Sequence, residues 1–419
     1  MKHVALLLPG LDRIGGAERQ VLVLAKGLRR RGWRISMVVL SGSGAAASGL
    51  AESGIAWHSL GMRKGLAAPR GWLRFHRWLR GERPDIVHAH LPHAAWLARW
   101  SRLAAPIPVL VDTLHSSWTG GLGRRLGYRL SRQFPDCVTA VSHAAASAHF
   151  QARMIAAGRL AVVPNAVDGT EWHPDPSARA GLRCKLGLGG AFAFLAAGRL
   201  ESVKNYPNLL DAMTGVKQPT RLLIAGEGSR REELTALAAR LGLSDRVRFL
   251  GFQPDLRPWM QAADAFVLAS RWEGLPVALL EAAACALPAI ATDVPGSREA
   301  IVEGETGWLV PSGDPEALAE AMNRLAGTSL QRREEMGQSA RCFAVARFGL
   351  ETVLDRWEAL YDGLLAGTRP AISRMWPTGC ADASLHAPAA CATPPDRHTL
   401  LPPDRGATDG VPQEPDPPR

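Results

Sequence analysis

Two trains of short, near-continuous apolar runs, each run followed by an amphipathic stretch, constrain this chain more than any other feature. In the first half the runs are 4–8, 35–40, 86–89, 108–112 and 138–141, and helical periodicity fills 17–31, 72–80, 94–103 and 122–133. Strands without polar alternation are covered on both faces, and strands alternating with helices build a doubly wound parallel sheet. The second half repeats the pattern, with runs at 191–197, 221–225, 247–250, 265–268, 289–291 and 307–310. Its helical segments are 207–213, 230–241, 256–262, 276–284, 297–301 and 315–325. Pro164, Pro174 and Pro176 interrupt regular structure between the halves. At 419 residues the chain exceeds what one core of about 250–300 residues serves. The prediction is α/β: two Rossmann-like domains, 1–168 and 169–347, facing a cleft. A further helix spans 348–366, with Leu350, Val353, Leu354, Trp357, Leu360, Tyr361 and Leu364 on one face. Residues 367–419 read as a disordered proline-rich tail.

Charge divides unevenly between the halves. The chain carries a formal net charge of +10. Residues 1–168 hold 23 Lys and Arg against 8 Asp and Glu, a net of +15, whereas 169–419 hold 26 against 31, a net of −5. A basic half fits an anionic partner such as a lipid headgroup, a phosphate or a nucleic acid. No helix-turn-helix pattern or aromatic RNA platform accompanies the charge, so nucleic acid is not expected. Between residues 62 and 84, Arg63, Lys64, Arg70, Arg74, Arg77, Arg80 and Arg83 interleave with Trp72, Phe75, Trp78 and Leu79. That is the composition of an interfacial helix on an anionic membrane, with Arg124, Arg125, Arg129 and Arg132 supplementing it. No stretch approaches the ~18 apolar residues of a membrane span. Asp12 and Arg13 interrupt the first apolar run, so it reads as a strand and not a secretion signal. Six cysteines without a CxxC pair make neither a disulfide framework nor a zinc module. The expected location is cytoplasmic, peripheral on the inner face of the cell membrane.

Chemistry concentrates at strand ends of the second half. In Ser270-Arg271-Trp272-Glu273-Gly274-Leu275-Pro276, Glu273 sits on a loop and Pro276 where a helix begins. Glu281 follows about 7–8 Å along that axis at about 1.5 Å per residue. Two carboxylates are thereby placed at the carboxyl edge of a parallel sheet, where such folds bind ligands, at a spacing that suits two hydroxyl clusters of one ligand. Gly198-Arg199-Leu200-Glu201-Ser202-Val203-Lys204 follows another strand. Its Arg199 and Lys204 make a diphosphate clamp, the first as a planar fork and the second as a point charge. Gly226 and Gly228 close a third strand with a turn that lets backbone approach a ligand. His88, His90 and His93 lack a carboxylate or Cys at ligand spacing, so they read as core and cleft-wall residues, not a metal site. No acidic metal motif accompanies the clamp, and no metal or other cofactor is expected. Gly42-x-Gly44 and Gly226-x-Gly228 lack the full dinucleotide-binding spacing, which excludes a nicotinamide dehydrogenase.

Together these motifs resemble the retaining glycosyltransferase group 1 family, which has the GT-B fold. Glu273 and Glu281 match its E-x7-E signature, and Arg199 and Lys204 its cationic pair. Thr292-Asp293, Glu299, Gly304, Thr306-Gly307 and Val310 follow in family order. Earlier matches are Gly15-Gly16-Ala17-Glu18, Pro84-Asp85-Ile86-Val87-His88-Ala89-His90, His115, Ala140-Val141-Ser142 and Pro164-Asn165-Ala166-Val167-Asp168. The resemblance spans about residues 3–366. Ala166, Asn205 and Ala286 stand where the family usually has glycine.

The resemblance implies a retaining, metal-independent transfer of a sugar from a nucleotide-diphosphate sugar to a hydroxyl. The acceptor would be lipid-linked or a growing cell-surface glycan of the lipopolysaccharide or exopolysaccharide type. Glu281 would bind the donor ribose and Glu273 the donor sugar, while Arg199 and Lys204 hold the diphosphate. Gly16, Gly226, Phe252, Gly274 and Leu275 would complete the donor site, with base recognition through backbone near Gly251 and Phe252. His115 would act beside Arg199, Lys204 and Glu273 in catalysis. Gly15, His115 and Asn165 would face the acceptor. Glu18 reads as a helix-dipole partner in the first turn of its helix. The 348–366 helix would cross back onto the first domain. A sugar-nucleotide epimerase or hydrolase on the same fold is the alternative.

Overall fold

The computed structural model describes residues 1–12, 14–42, 47–62 and 69–368. Arg63, Lys64 and the proline-rich segment from residue 370, with Cys380 and Cys391, lie outside the described residues.

Seven parallel strands form the first sheet: β1 (His3–Leu8), β2 (Arg34–Val39), β3 (Ala56–Ser59), β4 (Ile86–His90), β5 (Val109–Leu114), β6 (Cys137–Ala140) and β7 (Leu160–Val162). Their order is β3-β2-β1-β4-β5-β6-β7. Six helices connect them: α1 (Gly16–Arg30), α2 (Ala47–Glu52), α3 (Pro69–Glu82), α4 (Pro92–Ser101), α5 (Leu122–Leu130) and α6 (His143–Gln151).

The second sheet holds β8 (Phe192–Ala197), β9 (Thr220–Ala225), β10 (Val247–Gly251), β11 (Ala265–Leu268), β12 (Ala289–Thr292) and β13 (Gly307–Val310), in the order β10-β9-β8-β11-β12-β13. Around it pack α7 (Pro176–Leu186), α8 (Tyr206–Gly215), α9 (Arg231–Arg240), α10 (Arg257–Ala262), α11 (Val277–Ala284), α12 (Pro295–Arg298) and α13 (Pro315–Gly327). Two helices end the described chain, α14 (Leu330–Phe348) and α15 (Leu350–Leu365). The fold is GT-B, two Rossmann-like parallel sheets covered by helices. Strand order reverses between β1 and β4 and between β8 and β11, and open α/β sheets bind ligands at the carboxyl ends beside such reversals.

Each sheet is buried on both faces. One face of the first packs Val4, Leu6, Ile35, Met37 and Val111 against Val21, Leu24 and Leu28 of α1. The seven apolar residues of α15 complete the same cluster. The chain leaves the first sheet after Val167 and returns at Phe348–Leu350. There Val167 donates to the Phe348 carbonyl at 2.8 Å, and Leu350 donates back to the Val167 carbonyl at 3.0 Å. Both crossings are thus stitched side by side.

α3 turns most of its apolar residues inward. Phe75 and Leu79 are fully buried, and Trp72 and Trp78 pack half-buried against the opposite face of the first sheet. Phe75 and Trp78 stack with centroids 6.3 Å apart. Arg74 and Arg80 donate to the carbonyls of Leu60 and Ala104. Of the aromatic residues expected to enter a membrane, Phe75 is a core residue and Trp72 and Trp78 lie partly buried against the same cluster, because the sheet offers them apolar contact. No helix among the described residues is long and apolar enough to cross a membrane.

Two of the three departures from the family pattern occupy left-handed backbone: Asn205 at φ +49° and Ala286 at φ +56°. Both positions favour glycine, and asparagine tolerates that region better than alanine does.

Candidate functional site

The site assembles where loops after β8 and β11 meet loops after β1 and β5. The β8 loop turns through a single 3-10 turn at Ser202–Lys204. Lys204 Nζ reaches Glu273 Oε1 at 2.6 Å, and Ser270 Oγ donates to the same oxygen at 2.7 Å. The pair is four-fifths or more buried on both sides. A largely buried ammonium held against a carboxylate at a sheet edge is a ready partner for an anion that also carries hydroxyls. Arg199, at the same loop, is exposed.

Glu281 lies one turn into α11 and is only 4 % exposed, so it is not a solvated face residue. Burial pushes its carboxyl up to about 7, against a downward pull from the Arg19 guanidinium. Arg19 projects from α1, Nη1 reaching Glu281 Oε1 at 3.1 Å and Nη2 the Pro254 carbonyl at 3.3 Å. Sequence reasoning missed Arg19. The available signal was its place three residues after Gly16, which puts it on the same side of α1.

Other ties join the two sheets' loops. Asn165, buried, donates to the Leu275 carbonyl at 2.8 Å. Ser117 Oγ donates to the Glu273 carbonyl at 2.7 Å, and Trp118 stacks on Trp272 at 6.4 Å. Glu299 accepts from the His143 and Ala144 amides at 3.0 and 2.8 Å, which places a carboxylate at the amino terminus of α6. Gly274 passes so close to the His115 backbone that a Cβ there would collide with the His115 carbonyl. Gly16 approaches the Val277 side chain at ordinary contact distance. Glu18 accepts from the Gly15 amide at 3.0 Å, satisfying one of the orphan donors of the α1 amino terminus.

A run of buried polar groups backs the first-sheet side. Tyr361 meets His88 Nδ1 at 2.6 Å, His88 Nε2 meets Thr113 at 2.6 Å, and His90 Nδ1 lies 3.1 Å from His115 Nε2. Burial pushes all three imidazoles down, His115 to about 4, so each is neutral near pH 7. His88 and His90 are therefore wall residues bonded to neighbours. Among the described residues no group of three or more His, Cys, Asp or Glu is placed to hold a metal. Among the described residues, His90 Nε2 and His115 Nδ1 have no hydrogen-bond partner. Both residues line a small cavity shared with Gln20, Thr113, Asn165 and Trp357.

Not every predicted residue joins the cluster. A Cβ on Gly226 would collide with the Gly198 carbonyl, and one on Gly228 with the Leu200 backbone. Close strand-loop packing therefore requires both glycines, independently of any ligand. The Leu275 side chain belongs to the second-sheet core, and Phe252 is 60 % exposed beside Gly251 at φ +73°.

Known proteins similar to this chain fall in one family. The family model of glycosyl transferases group 1 matches residues 183–343, and that of glycosyltransferase family 4 matches 14–171. A phosphatidyl-myo-inositol mannosyltransferase of Mycobacterium leprae is 30% identical over 366 residues, covering 84% of this chain and 94% of that protein. The lipopolysaccharide core biosynthesis glycosyltransferase LpsD of Rhizobium meliloti is 29% identical over 352 residues, covering 83% and 95%. Among solved structures, Anabaena HepE in complex with UDP and glucose superposes with a TM-score of 0.77 at 23% identity, covering 86% of this chain and 99% of that one. The Mycobacterium leprae and Rhizobium meliloti proteins are named transferases, which disfavours the epimerase or hydrolase alternative. The chain belongs to the group 1 glycosyltransferases.

Proposed function

We propose that this glycosyltransferase moves a sugar from a nucleotide-diphosphate sugar to a hydroxyl of a lipid-linked acceptor or growing cell-surface glycan, with retention of anomeric configuration. One observation carries the reading. Lys204 and Glu273 meet as an ion pair from the loops after β8 and β11, at the reversal point of the second sheet, and Glu281 follows in α11, buried and paired with Arg19 of the first domain. Support for the donor class comes from HepE, whose structure holds UDP and glucose. Support for the acceptor class comes from relatives named for phosphatidylinositol and lipopolysaccharide core. The enzyme then works at the inner face of an anionic membrane.

In this reading Glu281 accepts hydrogen bonds from the ribose hydroxyls, which a carboxylate does more strongly than a neutral acid. Lys204 and Arg199 neutralise charge that develops on the diphosphate as the glycosidic bond breaks. Glu273, held by Lys204 and Ser270, orients sugar hydroxyls. His115, neutral, bonds the sugar or the incoming hydroxyl without adding charge. Because the clamp supplies the cations, no metal is required. The test is turnover of the preferred donor followed by NMR of the product anomer, with and without EDTA. Retained configuration at an undiminished rate in EDTA is expected. Inverted configuration overturns the retaining assignment, and a strict Mg²⁺ or Mn²⁺ requirement overturns the clamp.

A further inference from the structure

The sequence of α5, Leu-Gly-Arg-Arg-Leu-Gly-Tyr-Arg-Leu, gives two faces of different fate. On the inner face Tyr128 is buried beneath the Arg99 guanidinium, 4.3 Å from its ring centroid. Gly127 lies so close to the Trp96 ring that a Cβ would collide with it. Arg99 is itself held by a fully buried 2.5 Å ion pair to Asp112 of β5. The rotation of α5 about its axis is therefore set from inside. The outer face carries Leu122, Leu126 and Leu130 at i, i+4 and i+8, which are 78 %, 57 % and 66 % exposed. Three aligned leucines in water are an unpartnered apolar stripe.

Charge selects the partner. Leu122, Gly123, Arg125, Leu126 and Arg129 line one shallow depression. Arg132 follows within a turn, and Arg124 sits over the Trp118 ring at 4.9 Å. Among the described residues none of these four arginines is ion-paired with a carboxylate, and no Asp or Glu occurs between residues 113 and 135. Leucines flanked by guanidinium groups match a lipid leaflet, whose acyl boundary takes the first and whose phosphates take the second. Position fits as well: Trp118 and Ser117, just before α5, touch Trp272 and Glu273 at the cleft.

We propose that the outer face of α5, and not α3, is the surface that docks on an anionic bilayer and presents the cleft to a lipid-linked acceptor. This rests on the enzyme's acting at a membrane. The experiment is co-sedimentation of the full chain with phosphatidylglycerol/phosphatidylcholine vesicles and with phosphatidylcholine alone. Wild type should pellet with the first and release as salt rises, since screening acts over about 8 Å at physiological ionic strength. Leu126→Gln/Leu130→Gln should lower partition by roughly tenfold per leucine, with an unchanged melting midpoint and donor turnover. Leu122→Gln, at the first position of the helix, should act in the same direction. Arg74→Glu/Arg77→Glu in α3 should fall less than the leucine pair. Failure of wild type to pellet at low salt overturns the membrane reading and this surface together. If wild type pellets and both leucine variants pellet equally well, α5 is excluded while the membrane reading stands.

Discussion

The two walls of the cleft are built from opposite chemistry. The second-sheet wall supplies formal charge in Arg199, Lys204, Glu273 and Glu281. The first-sheet wall supplies the amino terminus of α1 at Gly16, the Asn165 amide and imidazoles that burial keeps neutral. Arg19 is the charge it sends across. Yet the first half carries net +15 and the second −5. Net charge of a domain is thus no guide to the charge of its site. The basic residues of the first half lie mainly on its exterior, where they bear on what the domain touches and not on what it binds in the cleft.

The sharpest way to break that comparison is to neutralise the charged wall. Lys204→Ala should lower kcat by roughly 10²–10³, the loss typical of removing a group that stabilises developing negative charge. A loss under tenfold in steady-state assays would place the diphosphate elsewhere. Glu281→Ala should raise the donor KM by roughly ten- to a hundredfold, because ribose hydroxyls lose a charged acceptor. Donor affinity should also rise from pH 6 to 8 as Glu281 ionises around 7. For stability the sign is opposite: the raised carboxyl stabilises the fold most below its ordinary value of 4.5, and this contribution is lost as pH rises through about 7. Glu281→Gln should flatten both profiles in binding and melting experiments. Arg19→Ala should move the binding profile to higher pH, since Arg19 pulls that carboxyl down.

On the neutral wall, His115→Ala should cost about tenfold in kcat, the scale of one hydrogen bond. The wild-type rate should show no ionisation from His115 between pH 5.5 and 8, because burial holds it at about 4. A bell whose acidic limb near pH 6 disappears in His115→Ala would contradict a neutral wall. The smallest effect lies behind the charged wall: Ala286→Gly should raise stability by roughly 0.5–1 kcal/mol by relieving left-handed backbone, with kinetics unchanged.

Legibility in the sequence followed burial. The central strands were readable because residues covered on both faces are continuously apolar, and the seven inward positions of α15 because a helix with one buried face repeats at 3.6. β3 and β7 escaped, one a half-buried edge strand and the other three residues long. α14 escaped because small residues, Gly337, Ala340 and Ala344, make most of its buried face and leave little apolar period. Within the site, Glu273, Glu281 and Lys204 were visible as residues at strand ends, but the Arg19–Glu281 contact joins positions 262 apart and follows only from the closed fold. Arg-rich, Trp-rich α3 and Arg-rich, Leu-rich α5 look alike as strings. Only packing distinguishes a helix that hides its apolar face from one that displays it.

The second-sheet wall is the proposed binding site for a nucleotide-diphosphate sugar. Thermal unfolding of wild type, Lys204→Ala and Glu281→Ala against UDP-, GDP-, ADP- and TDP-sugars tests it directly. One donor class should stabilise wild type, by roughly 2.7 kcal/mol at a hundred times its Kd, and should stabilise the two variants far less at the same concentration. Equal stabilisation of all three proteins, or none of wild type by any donor, would contradict it.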